Sequence, residues 1–238
     1  MHLKTKLLGT RFVFAAAILL AAFSLSKPTF AADDLNSVLS KLDAAAARFR
    51  TTSADFEWDS KQTDPVPDTD VQKGVVYYRR NGSAFQMGVH IATDNGQPAP
   101  RVLVCCNKGP VQLYDKLQNQ VTTLSKPSQY EDWFRLGFGA SGKDLTEKFD
   151  IQYDGPETVD GVKTAKLELV PKDPTVKRNF PKMILWMDTD SAVSVKQVFD
   201  EGQGQSKTCI YTNIKINQSL PKDAFTFPTN RQTRSTNQ

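Results

Sequence analysis

Few residues in this 238-residue chain have the types and spacing that catalysis requires. The chain has two histidines, and His2 lies in a leader segment discussed below, so a Ser-His-Asp or Cys-His site would have to use His90. His90 lies between Val89 and Ile91, on the polar side of an alternating run, which is typical of a solvated strand histidine. The same count excludes a metal site with several imidazole ligands.

The remaining reactive side chains do not form enzyme-like patterns either. Asp144, Glu147 and Asp150 recur at every third position, and we interpret them as the solvated start of a helix rather than as paired catalytic carboxylates. No glycine-rich loop follows a predicted strand and opens a helix, so no phosphate or dinucleotide cradle is expected. We therefore predict no metal, no cofactor and no enzymatic activity. An exported esterase is the alternative, and it would have to use His90.

The three cysteines are Cys105, Cys106 and Cys209. An odd number in an exported chain leaves at least one unpaired thiol or an intermolecular bridge. Adjacent cysteines rarely bridge each other, because the linking peptide strains the disulfide. A disulfide between Cys209 and one of the adjacent pair stays open at this stage, and the spacing matches no zinc site.

The N-terminal 31 residues have the pattern of a signal peptide. Lys4, Lys6 and Arg11 precede an apolar stretch, residues 12–23, that is too short to span a membrane. Small residues follow, and we predict cleavage after Ala31 or Ala32. The protein is therefore expected in the periplasm.

Removal of this segment changes the charge of the chain. It removes four of the 30 basic residues and no acidic one, which leaves 26 basic against 26 acidic residues. The formal net charge of +4 thus belongs to the leader, and binding to nucleic acid loses its main support.

Residues 33–49 are predicted to form the one long helix. Its apolar positions recur at helical spacing, and its first turn carries two aspartates, which favour a helix N-terminus. After it the period changes to two. Phe56 and Trp58 then share one face of a half-buried strand.

The central feature of the sequence is a predicted hairpin. Residues 75–80 are rich in branched and aromatic side chains, and Asn81-Gly82 is a strong two-residue turn signal. On the return strand every second residue from position 85 to position 91 is apolar. Arg80 shares its face with Val76 and Tyr78, so its guanidinium group is placed beside an apolar surface.

Short strands are also predicted at residues 101–106, 111–114, 120–124, 149–153, 162–170, 183–187, 193–199 and 206–216. A short amphipathic helix at 128–138, with Trp133 and Phe134 on its apolar side, interrupts them. The expected fold is mainly β: an antiparallel meander that curves into a barrel-like sheet and buries one face of the N-terminal helix. We expect a single domain at residues 32–228, a flexible tail at 229–238, and a monomer.

Apolar residues of these elements are expected to line a cavity or its helical lid. They are Leu35, Val38, Leu39, Leu42, Phe49, Phe56, Trp58, Val76, Tyr78, Phe85, Met87, Val89, Ile91, Trp133, Phe134, Leu167 and Leu169. A strongly curved sheet encloses more volume than side chains readily fill, which favours ligand binding.

In this order of elements the chain resembles the LolA family of periplasmic lipoprotein carriers. The resemblance rests on Gly74-Val-Val-Tyr-Tyr-Arg-Arg80 after the first strand, on Leu167-Glu-Leu-Val-Pro-Lys172, and on the closing Leu220-Pro-Lys-Asp-Ala-Phe-Thr-Phe-Pro228. The sequence departs from the family at Asn81, where the family has a proline, and at Gln112-Leu113-Tyr114, where it has Trp-x-Tyr.

The resemblance implies an incomplete antiparallel β-barrel with a helical lid over an apolar cavity for acyl chains. It assigns to Arg80 the family arginine that latches the lid closed. It also implies a shuttle of lipoproteins, or of other acylated lipids, from an inner-membrane donor protein to an outer-membrane acceptor. A carrier of another envelope lipid and a lipid-sensing regulatory protein are the alternatives.

Overall fold

The structure is a computed structural model that describes residues 32–82, 84–105, 109–124 and 136–237. Helix α1 is Ala32–Arg48, α2 is Gly142–Lys148 and α3 is Pro174–Asn179. The strands are β1 Thr51–Gln62, β2 Asp68–Asn81, β3 Ala84–Asp94, β4 Gln97–Cys105, β5 Val111–Asp115, β6 Gln120–Leu124, β7 Phe149–Val159, β8 Val162–Pro171, β9 Lys182–Asp188, β10 Val193–Gly202, β11 Gln205–Ile216 and β12 Arg234–Asn237.

These strands form one open, strongly curved sheet in the order β12-β6-β5-β4-β3-β2-β1-β11-β10-β9-β8-β7. Neighbours are antiparallel except β12, which pairs parallel to β6. Two strands that are far apart in sequence pair at the centre of the sheet: β1 pairs with β11, and Thr52 lies opposite Ile216. The predicted incomplete, mainly β barrel is confirmed.

Strand alternation gives this sheet an inner and an outer face. Phe56 of β1, Val76 and Tyr78 of β2 and Met87 of β3 are all buried and pack together, and we call their side the inner face. Residues between them in sequence, such as Tyr77, point to the outer face. The predicted hairpin is confirmed, with Gly82 in its turn at a φ of +59°.

Helix α1 lies on the inner face and buries the stripe predicted from the sequence. Val38, Leu42, Ala45 and Ala46 are each less than 8% exposed. They join cluster one, the buried apolar core between α1, α2 and strands β7 to β9. Its members are Val38, Leu42, Ala45, Ala46, Leu136, Leu145, Phe149, Ala165, Leu167, Leu169, Met183, Leu185, Met187 and Ala192.

The other half of the inner face carries cluster two. Its members are Phe49, Ala54, Phe56, Val76, Tyr78, Met87, Cys105, Val111, Phe138, Val193 and Cys209. Most of them come from β1 to β5 and β11. None of the three described helices contributes a residue to this cluster.

The expected tail at residues 229–238 contains strand β12. Residues 220–237, which we call the C-terminal strap, cross the outer face and end in β12. Phe227 stacks on Tyr114 at a centroid distance of 5.2 Å, and the Phe225 ring lies 4.6 Å from the guanidinium carbon of Arg79. These contacts bury Tyr114 on the face that strand alternation alone would leave to solvent.

Local structure at three further places combines turn-forming and capping residues. Asp154-Gly155, a residue pair common in turns, lies instead inside β7 at a register shift, where a bulge uses the glycine's positive φ. The polar connection near residue 175 contains α3, which Asp173 caps. Asp144 does start a helix, since it forms a capping box with Ser141 at α2. The signal peptide and most of the predicted 128–138 helix lie outside the described residues.

The outer-face contact between the strap and β3 gives a test. A Cβ at Gly88 would overlap the carbonyl group of Ala224, so Gly88→Ala should displace the strap. We expect a loss of about 1–3 kcal/mol in the free energy of unfolding, the range for overpacking, and faster proteolysis near the C-terminus. Ala92→Ser, at an exposed position of the same strand, is the control. Unchanged proteolysis of Gly88→Ala would contradict this packing.

Candidate ligand-binding cavity

The inner face of the β1–β6 half presents an apolar surface that is incompletely buried. Trp58, Val89, Ile91, Leu103 and Leu124 pack against cluster two, yet each stays half-buried. Strand register explains the arrangement: Val89 lies opposite both Val76 and Leu103, so apolar side chains of three strands stand side by side. Such a surface suits hydrocarbon.

A polar rim bounds this surface at the end of the hairpin away from Arg80. Arg101 lies opposite Ile91 and forms an ion pair with Asp94, to which Gln72 also donates a hydrogen bond of 3.3 Å. The inner face is therefore apolar between Arg80 and Arg101 and charged beyond it.

The predicted lining residues divide between the two clusters. Val38, Leu42, Leu167 and Leu169 belong to the buried core of cluster one, with Leu35 packed against it. Phe49, Phe56, Val76, Tyr78 and Met87 belong to cluster two, and Trp58, Phe85, Val89 and Ile91 pack against it. Leu39 is half-buried where α1 meets α2 at Gly142. Trp133 and Phe134 lie outside the described residues.

Arg80 joins the hairpin to the end of α1. Its Nη1 donates a 3.1 Å hydrogen bond to the carbonyl oxygen of Ala46, and its backbone N–H donates to the Arg50 carbonyl at 2.7 Å. A cation at the carbonyl end of a helix also interacts favourably with the helix dipole. The side chain borders a cavity of about 60 Å³ that is also lined by Leu136, Phe138 and Leu145. A role of this contact in holding a lid closed remains a proposal.

The structure adds a residue whose position the sequence does not reveal. The sequence pattern places Phe138 on the apolar side of a helix, but in the structure it forms an isolated β-bridge with Val193. Its ring stacks on Tyr78, with centroids 4.0 Å apart and planes at 13°, and meets Tyr211 edge-on at 4.9 Å. We call the space between Tyr78 and Tyr211 the aromatic slot.

Gln197 lies beside this slot and is only 3% exposed. Its Nε2 donates to the carbonyl oxygen of Leu136 at 2.9 Å, and its Oε1 accepts a 3.3 Å hydrogen bond from the Tyr211 hydroxyl. In the sequence, only the alternation of β10 and β11 indicates the face on which Gln197 and Tyr211 lie. Their hydrogen bond depends on the pairing of the two strands, which sets Gln197 opposite Cys209.

The cysteines end in different states. Cys105 is disulfide-bonded and Cys209 is a free, buried thiol, so the disulfide to Cys209 that the sequence left open does not form. Burial raises the pKa of Cys209 to about 12, although a hydrogen bond with Tyr211 opposes the shift. Burial also raises the pKa values of Tyr78 and Tyr211.

His90 and Cys209 lie on opposite faces of the sheet. His90 is opposite Val75 on the outer face, where its ring meets Tyr77 edge-on at 5.1 Å. Cys209 belongs to cluster two on the inner face. The sheet therefore separates the Cys209 thiol from the His90 ring that a Cys-His site would need.

Within residues 32–82, 84–105, 109–124 and 136–237, no group of three or more His, Cys, Asp or Glu side chains could hold a metal ion. None of the helices in those ranges has the length and apolar character needed to cross a bilayer.

Comparison with known proteins places the fold. No family model matches this sequence. An uncharacterized conserved protein from Thermus thermophilus superposes with a TM-score of 0.54 at 12% identity, over 86% of this chain and 99% of that chain. MucB superposes with a TM-score of 0.52 at 14% identity, over 82% of this chain and 63% of MucB. The chain therefore shares the overall fold of these two proteins.

Two other similarities are weaker or shorter. The LolA superfamily protein NE2245 from Nitrosomonas europaea matches 81% of this chain and 97% of its own, at 17% identity and a TM-score of 0.39. The uncharacterized protein MJ0687 of Methanocaldococcus jannaschii is 31% identical over 126 residues. That match spans 53% of this chain and 35% of MJ0687, so the chain covers about a third of the length of this relative.

The buried thiol predicts a pH dependence. The pKa of Cys209 is about 12 in the folded protein and about 8.5 when the chain is unfolded. The folded state therefore holds its proton more tightly, and this contribution to stability is complete below about pH 8.5 and lost as pH rises toward the folded value. Between about pH 8.5 and about pH 10, the free energy of unfolding should fall by up to about 1.4 kcal/mol per pH unit.

Chemical denaturation across this range measures the effect, and Cys209→Ala is the matched variant. The variant should lose less stability than the wild type below about pH 10, where the tyrosines begin to contribute. Parallel curves for the two proteins would contradict the assignment of this dependence to Cys209.

Proposed function

We propose that the protein is a periplasmic carrier that binds the acyl chains of lipoproteins, or of other acylated envelope lipids, against its inner face and carries them toward the outer membrane. The observation that supports this is the half-buried apolar surface of the β1–β6 half, formed by Trp58, Val89, Ile91, Leu103 and Leu124. The described helices do not cover this surface, because α1 and α2 pack into cluster one.

Hydrocarbon burial would supply the affinity. Each methylene group removed from water contributes about 0.8 kcal/mol, so a chain of about a dozen methylenes gains about 10 kcal/mol without any charged contact. The polar rim of Arg101, Asp94 and Gln72 leaves the other end of a ligand in a polar environment. This arrangement fits an amphipathic ligand whose head group remains near solvent.

A carrier must also release what it binds, and Arg80 would supply the opposing contribution. In the closed arrangement its guanidinium group donates to the Ala46 carbonyl of α1. A ligand that moves α1 away from the sheet must break this charged hydrogen bond, which costs about 1.5–3 kcal/mol. Closure of α1 onto Arg80 then competes with the bound chain and favours release.

A chain-length series tests the binding. Peptides that carry one thioester-linked acyl group of 8, 10, 12 or 14 carbons should bind with affinities that rise about fourfold per added methylene, as measured by isothermal titration. The peptide without an acyl group is the control. Equal affinities across the series would rule out hydrocarbon burial, and mass spectrometry of apolar material that co-purifies with the protein would identify the natural ligand.

The latch has a matched pair of variants, since Arg79 and Arg80 are adjacent but lie on opposite faces. Arg80→Leu should bind the acylated peptide about tenfold more tightly, because no charged hydrogen bond need be broken. It should also transfer the peptide to phosphatidylcholine vesicles more slowly, and amide exchange in α1 should quicken.

Arg79→Leu removes the same charge from the outer face, where Arg79 lies over Phe225, and should change none of these properties. Unchanged α1 exchange and unchanged transfer in Arg80→Leu would show that Arg80 does not act as a latch. A protein that binds no acylated peptide and is always purified empty would instead favour the regulatory alternative.

A further inference from the structure

The aromatic slot is filled by the chain itself. Phe138 is 5% exposed and lies between Tyr78 and Tyr211, although it belongs to a connecting segment and not to the wall of the sheet. Two backbone hydrogen bonds hold that segment: Ser194 N–H to the Gly137 carbonyl at 2.7 Å, and Gly139 N–H to the Ala192 carbonyl at 2.8 Å.

The segment presents a particular pair of groups to the slot. Phe138 supplies a hydrocarbon ring, and two residues earlier the carbonyl oxygen of Leu136 accepts the hydrogen bond of Gln197 Nε2. Between them lies Gly137, with a φ of +82°. A Cβ at this position would overlap Gln197 Nε2, so the absence of a side chain lets the Gln197 amide approach the Leu136 carbonyl. A carbonyl group joined to hydrocarbon is also the chemical description of an acyl group.

Packing around the ring leaves space that a ligand could use. A cavity of about 60 Å³ and another of about 10 Å³ both border Phe138 and Arg80. Movement of the ring out of the slot would join the two cavities to the slot. It would also leave Gln197 Nε2, which is buried, without its acceptor, and an unpaired buried donor is unfavourable.

We propose that the slot between Tyr78 and Tyr211, together with the Gln197 amide, is a binding site for one acyl group, and that Phe138 and the Leu136 carbonyl are its displaceable resident occupants. The hydrocarbon chain takes the place of the ring, and the acyl carbonyl oxygen takes the place of the Leu136 carbonyl on Gln197. This inference rests on the proposed function, because it locates the acyl chain that the carrier binds.

The site has a consequence for ligand choice. A ligand with a carbonyl at the head of its chain restores the hydrogen bond that it breaks, whereas a purely alkyl ligand does not. One net hydrogen bond corresponds to about a fivefold preference for acyl over alkyl chains. Gln197 is thus a specificity-determining residue that distinguishes acylated ligands from other apolar compounds.

The test compares two peptides of the same sequence, one with a cysteine S-palmitoyl thioester and one with the S-hexadecyl thioether, which lacks the carbonyl oxygen. Dissociation constants are measured for wild type, Phe138→Ala, Phe56→Ala and Gln197→Leu. Phe138→Ala should bind both peptides at least about tenfold more tightly, because no buried ring must be expelled. Phe56 is equally buried but belongs to the wall of the sheet, so Phe56→Ala should not tighten binding.

In wild type the thioester should bind about fivefold more tightly than the thioether, and Gln197→Leu should abolish that preference. The proposal is overturned if Phe138→Ala binds no more tightly than wild type, or if Gln197→Leu keeps the preference. If neither wild type nor Phe138→Ala binds either peptide, the carrier function fails as well. Binding by wild type without a gain in Phe138→Ala leaves the carrier function standing and rejects only this site.

A measurement on the wild-type protein covers the case in which Phe138→Ala does not fold. Saturation with the palmitoyl peptide should speed hydrogen exchange at the amides of Ser194 and Gly139, whose backbone bonds hold the resident segment. The internal reference is the amide of Lys177 in α3, which donates to the carbonyl oxygen of the capping residue Asp173. Its exchange rate should not change. Slower or unchanged exchange at Ser194 and Gly139 would mean that Phe138 stays in place, and the proposal would be wrong.

Discussion

The structure depends on the burial of one helix face inside an open sheet. Most of the stability of an amphipathic helix such as α1 comes from the side chains that it packs against the rest of the protein. Val38, Leu42, Ala45 and Ala46 meet the inner face of β7 to β9, and the curvature of the sheet lets a single helix cover that half. Arg80 then ties the end of this helix to the central hairpin.

This packing divides the inner face into two parts with different properties. Cluster one is a buried core with a helix across it, and Leu167, Leu169, Met183 and Leu185 within it are fully buried. Cluster two has no helix of the described residues in it, and its margin includes half-buried Trp58 and Ile91. One half of the sheet is therefore covered by a helix, whereas several apolar side chains of the other half stay half-buried. Phe138, Tyr78 and Gln197 lie at the boundary between them.

The sequence predicted those features that depend on neighbours along the chain. The helix period, the alternation of the hairpin and the face of Arg80 are local patterns, and the structure confirms each of them. The aromatic slot could not be found in this way, because Tyr78, Phe138 and Tyr211 are brought together only by the pairing of β1 with β2 and β11. The strap could not be predicted for a related reason. Strand alternation places Tyr114 and Gly88 on the outer face, and only the folded structure shows that the strap covers them.

The pairing of β1 with β11 has a consequence for how the chain reaches its folded state. The strand that follows α1 cannot complete its pairing until Ile216 is available, so the centre of the sheet closes across most of the sequence. Contacts between residues so far apart slow folding, since the entropy of closing the loop opposes folding before the contacts can stabilise it. Because synthesis proceeds from the N-terminus, β1 lacks its β11 partner until residue 216 has been made.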